Sequence, residues 1–154
     1  MGFYSFQGMM RRWIHHATPP NGPMRILEWG PGASTLWMNQ ELPEAEIWTY
    51  EHAHKWWDHW KHEFEKEGLK NVHLFYVKLE DGYSEAPKEL GLKFHFIFVD
   101  GRQRVKCMHT ALELLEEGGY VMLHDSTRSE YFPGKALFKM VMEQMDTAVM
   151  VRKE

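Results

Sequence analysis

The stretch that most constrains the fold of this chain runs from Arg25 to Met38, with the sequence RILEWGPGASTLWM. An apolar run ends in an acid, Glu28, and two glycines separated by one residue follow before a segment that can start a helix. Gly30 and Gly32 allow the backbone to turn sharply and to approach a ligand closely. Backbone N–H groups at a helix start favour anionic or polar ligand atoms. The stretch therefore predicts a strand, a tight turn and a helix that form a site for a nucleoside-type cofactor.

The length and composition bound the class of protein. The 154 residues suffice for one domain, and we predict a single domain over 1–154, with an N-terminal helix and linker over 1–23 and a core over 24–154. The net charge of −4 gives no general attraction to nucleic acid or to an anionic membrane. The single Cys107 rules out an internal disulfide and fits a reducing compartment.

Targeting signals are also missing from the sequence. No apolar run approaches the roughly 20 residues of a membrane span, and the first 18 residues lack the pattern of a cleaved signal peptide. We therefore expect a cytoplasmic protein with a small-molecule partner and with no nucleic-acid or membrane partner. A domain this small and aromatic leaves a homodimer open.

Strand-like and helix-like segments alternate along the chain. Helices are predicted over 3–17, 34–40, 54–66, 104–117 and near 134–141. Parallel strands are predicted over 24–29, 46–50, 72–77, 94–99 and 120–123, and an antiparallel hairpin over 141–145 and 147–151. This alternation predicts an α/β fold: a Rossmann-like, doubly wound, mostly parallel sheet of seven strands with a C-terminal antiparallel hairpin.

Acidic residues follow the ends of five predicted strands, and they are Glu28, Glu51, Asp81, Asp100 and Asp125. In open α/β sheets, ligands bind outside the carboxyl ends of the strands, near the point where the strand order reverses. We therefore expect these carboxylates to lie around one ligand-binding cleft.

Two features of the chain bear on the cofactor. Glu51 comes 19 residues after Gly32, where an acid can accept both ribose hydroxyls of NAD or of S-adenosylmethionine (SAM), or can cap the following helix. A dinucleotide site uses a third glycine, but Leu36 or Trp37 stands near that position. Glu28 would also direct a negative charge towards a pyrophosphate. SAM carries a sulfonium and an ammonium instead, so the loop favours SAM over NAD.

The motifs together resemble those of class I SAM-dependent methyltransferases. The first motif is Leu27–Thr35, Glu51 matches the acid of the second strand, and residues 96–101 and 118–125 resemble the motifs of the fourth and fifth strands. The closing hairpin matches the reversed strand of that class, and the resemblance spans residues 24–151. Within the class, Val99-Asp-Gly-Arg-x-Arg-x-x-Cys107 is similar to a small bacterial branch.

The resemblance implies a set of cofactor-binding residues. The methionine part of SAM would contact Glu28, Gly30, Gly32 and Ser34, and the ribose would contact Glu51. The adenine side would lie near Glu80 or Asp81, and His52 and Asp100 complete the set.

The resemblance also implies a catalytic group of Asp100, His124 and Asp125. In catechol-type O-methyltransferases, acids at these two strand ends hold Mg²⁺, which orients a hydroxyl and lowers its pKa. Ser126 stands where that group has asparagine, so the metal set is incomplete here. Without a metal, His124 or Asp125 would be the general base.

The acceptor is less constrained by the sequence. No Asn/Asp-Pro-Pro motif follows the fourth strand, which argues against methylation of amino groups on DNA bases or glutamine. Arg102, Arg104 and Arg128 would clamp a carboxylate or phosphate of the acceptor, or form salt bridges with nearby acids. We expect O-methylation of a small molecule. The alternatives are an NAD(P)-binding oxidoreductase and an inactive SAM-binding or assembly protein.

Overall fold

The computed structural model describes residues 5–154, which form one seven-stranded sheet flanked by helices. The strands are β1 (Arg25–Trp29), β2 (Glu46–Glu51), β3 (Val72–Tyr76), β4 (Phe94–Val99), β5 (Leu115–His124), β6 (Phe138–Gln144) and β7 (Thr147–Arg152). The helices are α1 (Phe6–Ala17), α2 (Ala33–Glu41), α3 (His54–Lys66), α4 (Arg104–Leu114) and α5 (Phe132–Lys135). Short 3₁₀ turns span Leu79–Asp81, Ala86–Leu90 and Ser129–Tyr131.

The strand order is β3-β2-β1-β4-β5-β7-β6. The first five strands in this order are parallel, and β7 runs antiparallel to both β5 and β6. This arrangement confirms the predicted Rossmann-like, doubly wound sheet with an antiparallel hairpin. Among residues 5–154, no helix has the length and apolar character needed to cross a bilayer.

Two apolar layers cover the central strands. On one face, α1 and α2 pack Met9, Ile14 and Met38 against Phe96 and Phe98 of β4. On the other face, Met108 and Ala111 of α4 pack in a second buried cluster with Ile97 and Val99, which point to the opposite side of β4. Since β4 is buried on both faces, its sequence FHFIFV is nearly continuously apolar, as expected inside a parallel sheet.

The register of the sheet brings four strand ends together. Trp29, the last residue of β1, pairs with Tyr50 of β2 on one side and with Val99 of β4 on the other. Val99 in turn pairs with Leu123 of β5. The residues that follow these positions therefore lie along one edge of the sheet, where the chain order reverses between β1 and β4.

The predicted boundary between the fourth long helix and the fifth strand is wrong. We expected a helix over 104–117 and a strand over 120–123, but α4 ends at Leu114 and β5 begins at Leu115. Leu115 is buried and pairs with Phe94 of β4, so the strand begins five residues before the predicted start at residue 120. Gly118 has φ +79°, and Gly119 packs closely against the carbonyl of His95, so the glycines form an irregularity within the strand.

The C-terminal helix is shorter than predicted. We expected a helix near 134–141, but α5 has four residues and β6 begins at Phe138. Pairing with β7 decides this segment, because Phe138–Gln144 hydrogen-bonds along the whole of β7. Met145 and Asp146 form the two-residue turn between β6 and β7, with φ values of 53° and 54° that fit a type I′ hairpin turn. At the other end of the chain, Phe3 of the predicted first helix lies outside the described residues.

Candidate active site

A cleft opens at the carboxyl edge of β1, β2, β4 and β5, with a cavity of about 880 Å³. Its wall includes Gly30, Glu51, His52, Asp100 and Asp125, so the fold brings together five of the residues that the sequence marked as site candidates. The other lining residues are Pro31, Trp56, Trp60, Gly101, Arg102, Gln103, Arg104, Val105, Lys106, Arg128, Glu130 and Tyr131.

The turn after β1 is held tightly between the neighbouring strands. The Gly30 N–H donates to the carbonyl of Tyr50 at 3.0 Å, and the Asp100 N–H donates to the carbonyl of Trp29 at 3.0 Å. Gly30 has φ +92°, and a Cβ atom placed there would lie 2.9 Å from the backbone carbonyl of Asp100. Only glycine satisfies both the left-handed conformation and this close approach.

Glu28 lies beneath the turn and is fully buried. Its carboxyl group accepts hydrogen bonds from the hydroxyls of Ser34 (2.6 Å), Thr35 (2.5 Å) and Thr49 (2.8 Å). Burial raises the pKa of Glu28 to about 7, even though the three hydroxyls favour the charged form. Glu28 and Ser34 do not line the cavity, so their direct effect is to tie the start of α2 to β1 and β2.

Gly32 lies at the start of α2, where its N–H donates to the hydroxyl of Thr35 at 3.2 Å. Gly32 is the capping residue of α2, so the hydroxyls of Ser34 and Thr35 both lie inside the first turn of the helix. Trp60 of α3 covers Gly32, since a Cβ atom there would lie 3.9 Å from the indole ring. An aromatic side chain from another helix therefore forms the wall above the glycine turn.

Glu51 ends β2 and lies at the cavity wall with an exposed fraction of 6%. Its Oε2 accepts from the N–H groups of His52 (2.8 Å) and Ala53 (2.9 Å), which is the helix-capping alternative that the sequence left open. The same oxygen lies 3.1 Å from Nδ1 of His52. Oε1 has no hydrogen-bond partner among residues 5–154, so one carboxylate oxygen remains for a ligand. Glu51 therefore has both a capping oxygen and an open one.

Gly32 does not line the cavity, and neither do two further candidates, Asp81 and His124. Asp81 is exposed on a 3₁₀ turn and does not contribute to the cavity wall. His124 is half-buried, with its ring packed against Phe6 of α1 at 4.9 Å between ring centres. Its Nε2 lies 3.7 Å from Oδ1 of Asp125, so His124 contacts the cleft through that carboxylate.

Arg104 stands at the centre of the catalytic candidates, with only 10% of its side chain exposed. Its guanidinium donates to the carbonyls of His124 (2.6 Å) and Gly101 (2.9 Å) and lies 3.2 Å from Oδ2 of Asp125. It also lies 3.5 Å from Oδ1 of Asp100. The side chain thus joins the ends of β4 and β5 and places one positive charge against both acids.

This arrangement does not fit Mg²⁺. Asp100, His124 and Asp125 each offer a ligand atom within 4.8 Å of the others, but the guanidinium of Arg104 already lies against both carboxylates. A divalent cation there would be repelled by a fixed positive charge. Ser126, at the position of the missing asparagine ligand, is fully buried. The expectation of a bound magnesium ion therefore gains no support.

The surrounding structure affects both the pKa and the backbone conformation of residues in the cleft. Burial raises the pKa of Asp100, while the positive charges of His124 and Arg104 act in the opposite direction. Asp125 has φ +55° and Gln103 has φ +51°, both in the left-handed region that non-glycine residues rarely adopt. Such conformations concentrate at functional sites, where the surrounding structure enforces them.

Several residues that shape the site were missed in the sequence. Thr49 and Thr35 complete the hydroxyl shell of Glu28, but Thr49 comes 21 residues later in the chain and carries no local motif. Tyr83 is fully buried beneath Gly101, where a Cβ atom would clash with its hydroxyl. Trp60 lies over Gly32 from a different helix. No local signal in the sequence marks these long-range contacts.

The family of the chain follows from a comparison of sequences. A family model described as "methyltransferase domain" matches residues 27–126, which include the glycine turn, Glu51 and the acids after β4 and β5. This match covers more than half of the chain. The protein therefore belongs to the class I SAM-dependent methyltransferases, as the motifs indicated. No curated protein matches the chain by sequence.

Solved structures share the fold at low identity. A methyltransferase-like protein from Silicibacter pomeroyi DSS-3 matches with a TM-score of 0.76 and 17% identity, over 96% of this chain and 85% of that one. A protein from Staphylococcus aureus, described as a candidate caffeoyl-CoA O-methyltransferase, has a TM-score of 0.76 and 15% identity, over 96% and 82% of the two chains. An rRNA methylase from Streptococcus thermophilus has a TM-score of 0.66 and 10% identity, over 96% and 94%.

Proposed function

We propose that the cleft binds SAM across the carboxyl ends of β1 and β2 and methylates an oxygen atom of a small molecule. The open Oε1 of Glu51 carries this proposal, because it provides an acceptor for ribose hydroxyls at the cavity wall, next to the glycine turn. Gly30 brings its backbone to the cavity wall, and the Glu28 hydroxyl network fixes the turn from below. His52 extends the wall beyond Glu51.

The chain's own residues can accept a proton beside the bound acceptor. SAM, when bound, supplies an electrophilic methyl group, which an acceptor oxygen takes in an in-line displacement. Asp125 lines the cavity, and Arg104 and Arg128 lie 3.2 and 3.5 Å from its Oδ2. The other oxygen of Asp125, Oδ1, lies 3.7 Å from Nε2 of His124. We assign Oδ1 as the general base. His124 then acts as a positioning residue through that carboxylate.

The shape of the cleft supports a small acceptor. A cavity of about 880 Å³ falls within the usual range of roughly 300–1,000 Å³ for small-molecule sites. The negative net charge gives no general attraction to nucleic acid. Structural neighbours act on other acceptors, including ribosomal protein L11 in one case and rRNA in another, so the acceptor class is tested directly below.

The experiment is a screen for transfer of a labelled methyl group from SAM to small hydroxyl-bearing acceptors. The Asp125→Asn variant should lose most of the turnover, about 10²-fold or more, because general base catalysis contributes that much. Binding of S-adenosylhomocysteine (SAH) by the same variant should be unchanged, which separates the base from the cofactor site. Glu67→Gln, an exposed change outside the cleft, is the matched control. Transfer to protein or RNA, with none to small molecules, would contradict the proposed acceptor.

A further inference from the structure

Cationic side chains crowd the side of the cavity away from Glu51. Arg102, Arg104, Lys106 and Arg128 all line it, and they come from the loop after β4, from the first turns of α4 and from the loop after β5. The carboxylates on this side are Asp100, Asp125 and Glu130. Four positive groups thus face three negative ones in a protein whose overall charge is −4.

The four cations differ in what they contact. Arg104 donates hydrogen bonds to the backbone carbonyls of Gly101 and His124 and lies beside the carboxylates at the ends of β4 and β5. Arg128 lies 3.5 Å from Asp125 and is mostly exposed. Arg102 and Lys106 form no ion pair within residues 5–154, so salt bridging to nearby acids, the alternative that the sequence left open, does not account for them. Like charges that share a cavity repel one another, and an anion between them reverses that cost.

We infer that the acceptor carries an anionic group, a carboxylate or a phosphate, which is held by Arg102, Lys106 and Arg128. This inference rests on the proposed function, because it assigns the half of the same cleft that lies beyond the cofactor. Guanidinium groups suit planar carboxylates and phosphates, and an ammonium group adds a compact charge.

The test is calorimetry on protein saturated with SAH, with 4-hydroxybenzoate, its neutral amide 4-hydroxybenzamide, and phenyl phosphate as probes. We expect both anions to bind at least tenfold more tightly than the amide. The double variant Arg102→Ala/Lys106→Ala should bring the affinity for 4-hydroxybenzoate down to that for the amide, with SAH affinity unchanged. Lys139→Ala, an exposed change on β6 outside the cavity, should alter neither affinity.

Three results would overturn the inference. The first is equal binding of 4-hydroxybenzoate and its amide, and the second is no binding of either anion at millimolar concentration. The third is a loss of SAH affinity in the double variant that matches its loss for the anions, because these cations would then hold the carboxylate of the cofactor. Failure of the unchanged protein to bind SAH at all would instead defeat the proposed function, so the two failures are distinguishable.

Discussion

The two halves of the cleft are built in different ways. The cofactor half consists of the glycine turn and Glu51, with Glu28 and its hydroxyl shell beneath them, and both acids are buried and hydrogen-bonded. The acceptor half is a set of charged side chains around Arg104, most of them partly or fully exposed. The cofactor half depends on the geometry of the sheet. The acceptor half depends on which charged residues occupy the loops at the sheet edge and the first turns of α4.

This contrast has a consequence for specificity. The cofactor half cannot change without disturbing β1, β2 and the start of α2, so cofactor identity is bound to the fold. The acceptor half can exchange single charged residues at little cost, because exposed ion pairs contribute only about 0–1 kcal/mol to stability. Proteins that share this fold can therefore keep one cofactor while they differ in acceptor.

The largest expected effect comes from Gly30→Ala in the cofactor half. The added Cβ would lie 2.9 Å from the backbone of Asp100, where no flexible side chain can move aside. We expect a loss of at least about 3 kcal/mol in the free energy of unfolding, together with loss of SAH binding. Urea unfolding measures the first quantity and calorimetry the second.

Gly22→Ala is the matched control for this change. Gly22 also has a left-handed φ, +81°, but nothing lies within 4 Å of its Cβ position. It should therefore show only the conformational cost of about 1–2 kcal/mol, with normal SAH binding. Equal costs at the two positions would mean that the close approach to β4 does not matter.

Glu28→Gln tests the buried acid through pH. Folding raises the pKa of Glu28 from 4.5 to about 7, so the folded state holds the proton more tightly than the unfolded state. The free energy of unfolding should fall as pH rises through this window, by about 3 kcal/mol in total. Below the window both states are protonated, and above it both are ionised, so no further change is expected from this group.

The glutamine variant cannot ionise and should lack this slope. Urea unfolding at about pH 4, 6 and 8 gives the difference between the two proteins, in which the titration of other groups cancels. The unchanged protein should lose stability relative to the variant across the range. Parallel pH profiles would show that Glu28 titrates normally despite its burial.

Glu51→Ala should weaken SAH binding more than tenfold, because it removes the open carboxylate oxygen at the cavity wall. It also removes a cap from the N–H groups of His52 and Ala53, at a cost to stability of about 1 kcal/mol that leaves the protein folded. Glu46→Ala, at the opposite end of β2, should leave SAH affinity unchanged. Unaltered affinity in Glu51→Ala would remove the ribose assignment.

The smallest effect is expected from metals. A strong chelator should change neither SAH affinity nor methyl transfer, since the guanidinium of Arg104 already lies against the carboxylates of Asp100 and Asp125. Titration with Mn²⁺, followed by electron paramagnetic resonance, should show no specific binding to the unchanged protein. Arg104→Gln removes the guanidinium and should allow measurable Mn²⁺ binding by the two acids. Tight Mn²⁺ binding by the unchanged protein would contradict our description of the acceptor half.

The sequence predicts those parts of the molecule that local chemistry determines. The apolar strands, the Gly30 turn and the acids at strand ends all follow from short-range patterns, and the reversed last strand followed from the resemblance that these motifs carry. The boundary at Leu115 and the start of β6 at Phe138 could not be found in this way, because pairing with distant strands overrides the local helical pattern.

The site was predictable to a similar depth. Glu51, Asp100 and Asp125 could be identified from the sequence, since each stands at the end of a predicted strand. The hydroxyl shell of Glu28 includes Thr49 from another strand, and the positive charge beside Asp100 and Asp125 depends on how Arg104 folds back over both. These contacts arise only from the three-dimensional packing.

Calorimetry with SAH tests the central claim most directly, with NADH and NADPH as the competing ligands. We predict that the protein binds one SAH per chain, that Glu51→Ala weakens this binding more than tenfold, and that neither nicotinamide cofactor gives heat. Binding of NADH or NADPH without any response to SAH would contradict the assignment of this cleft to SAM.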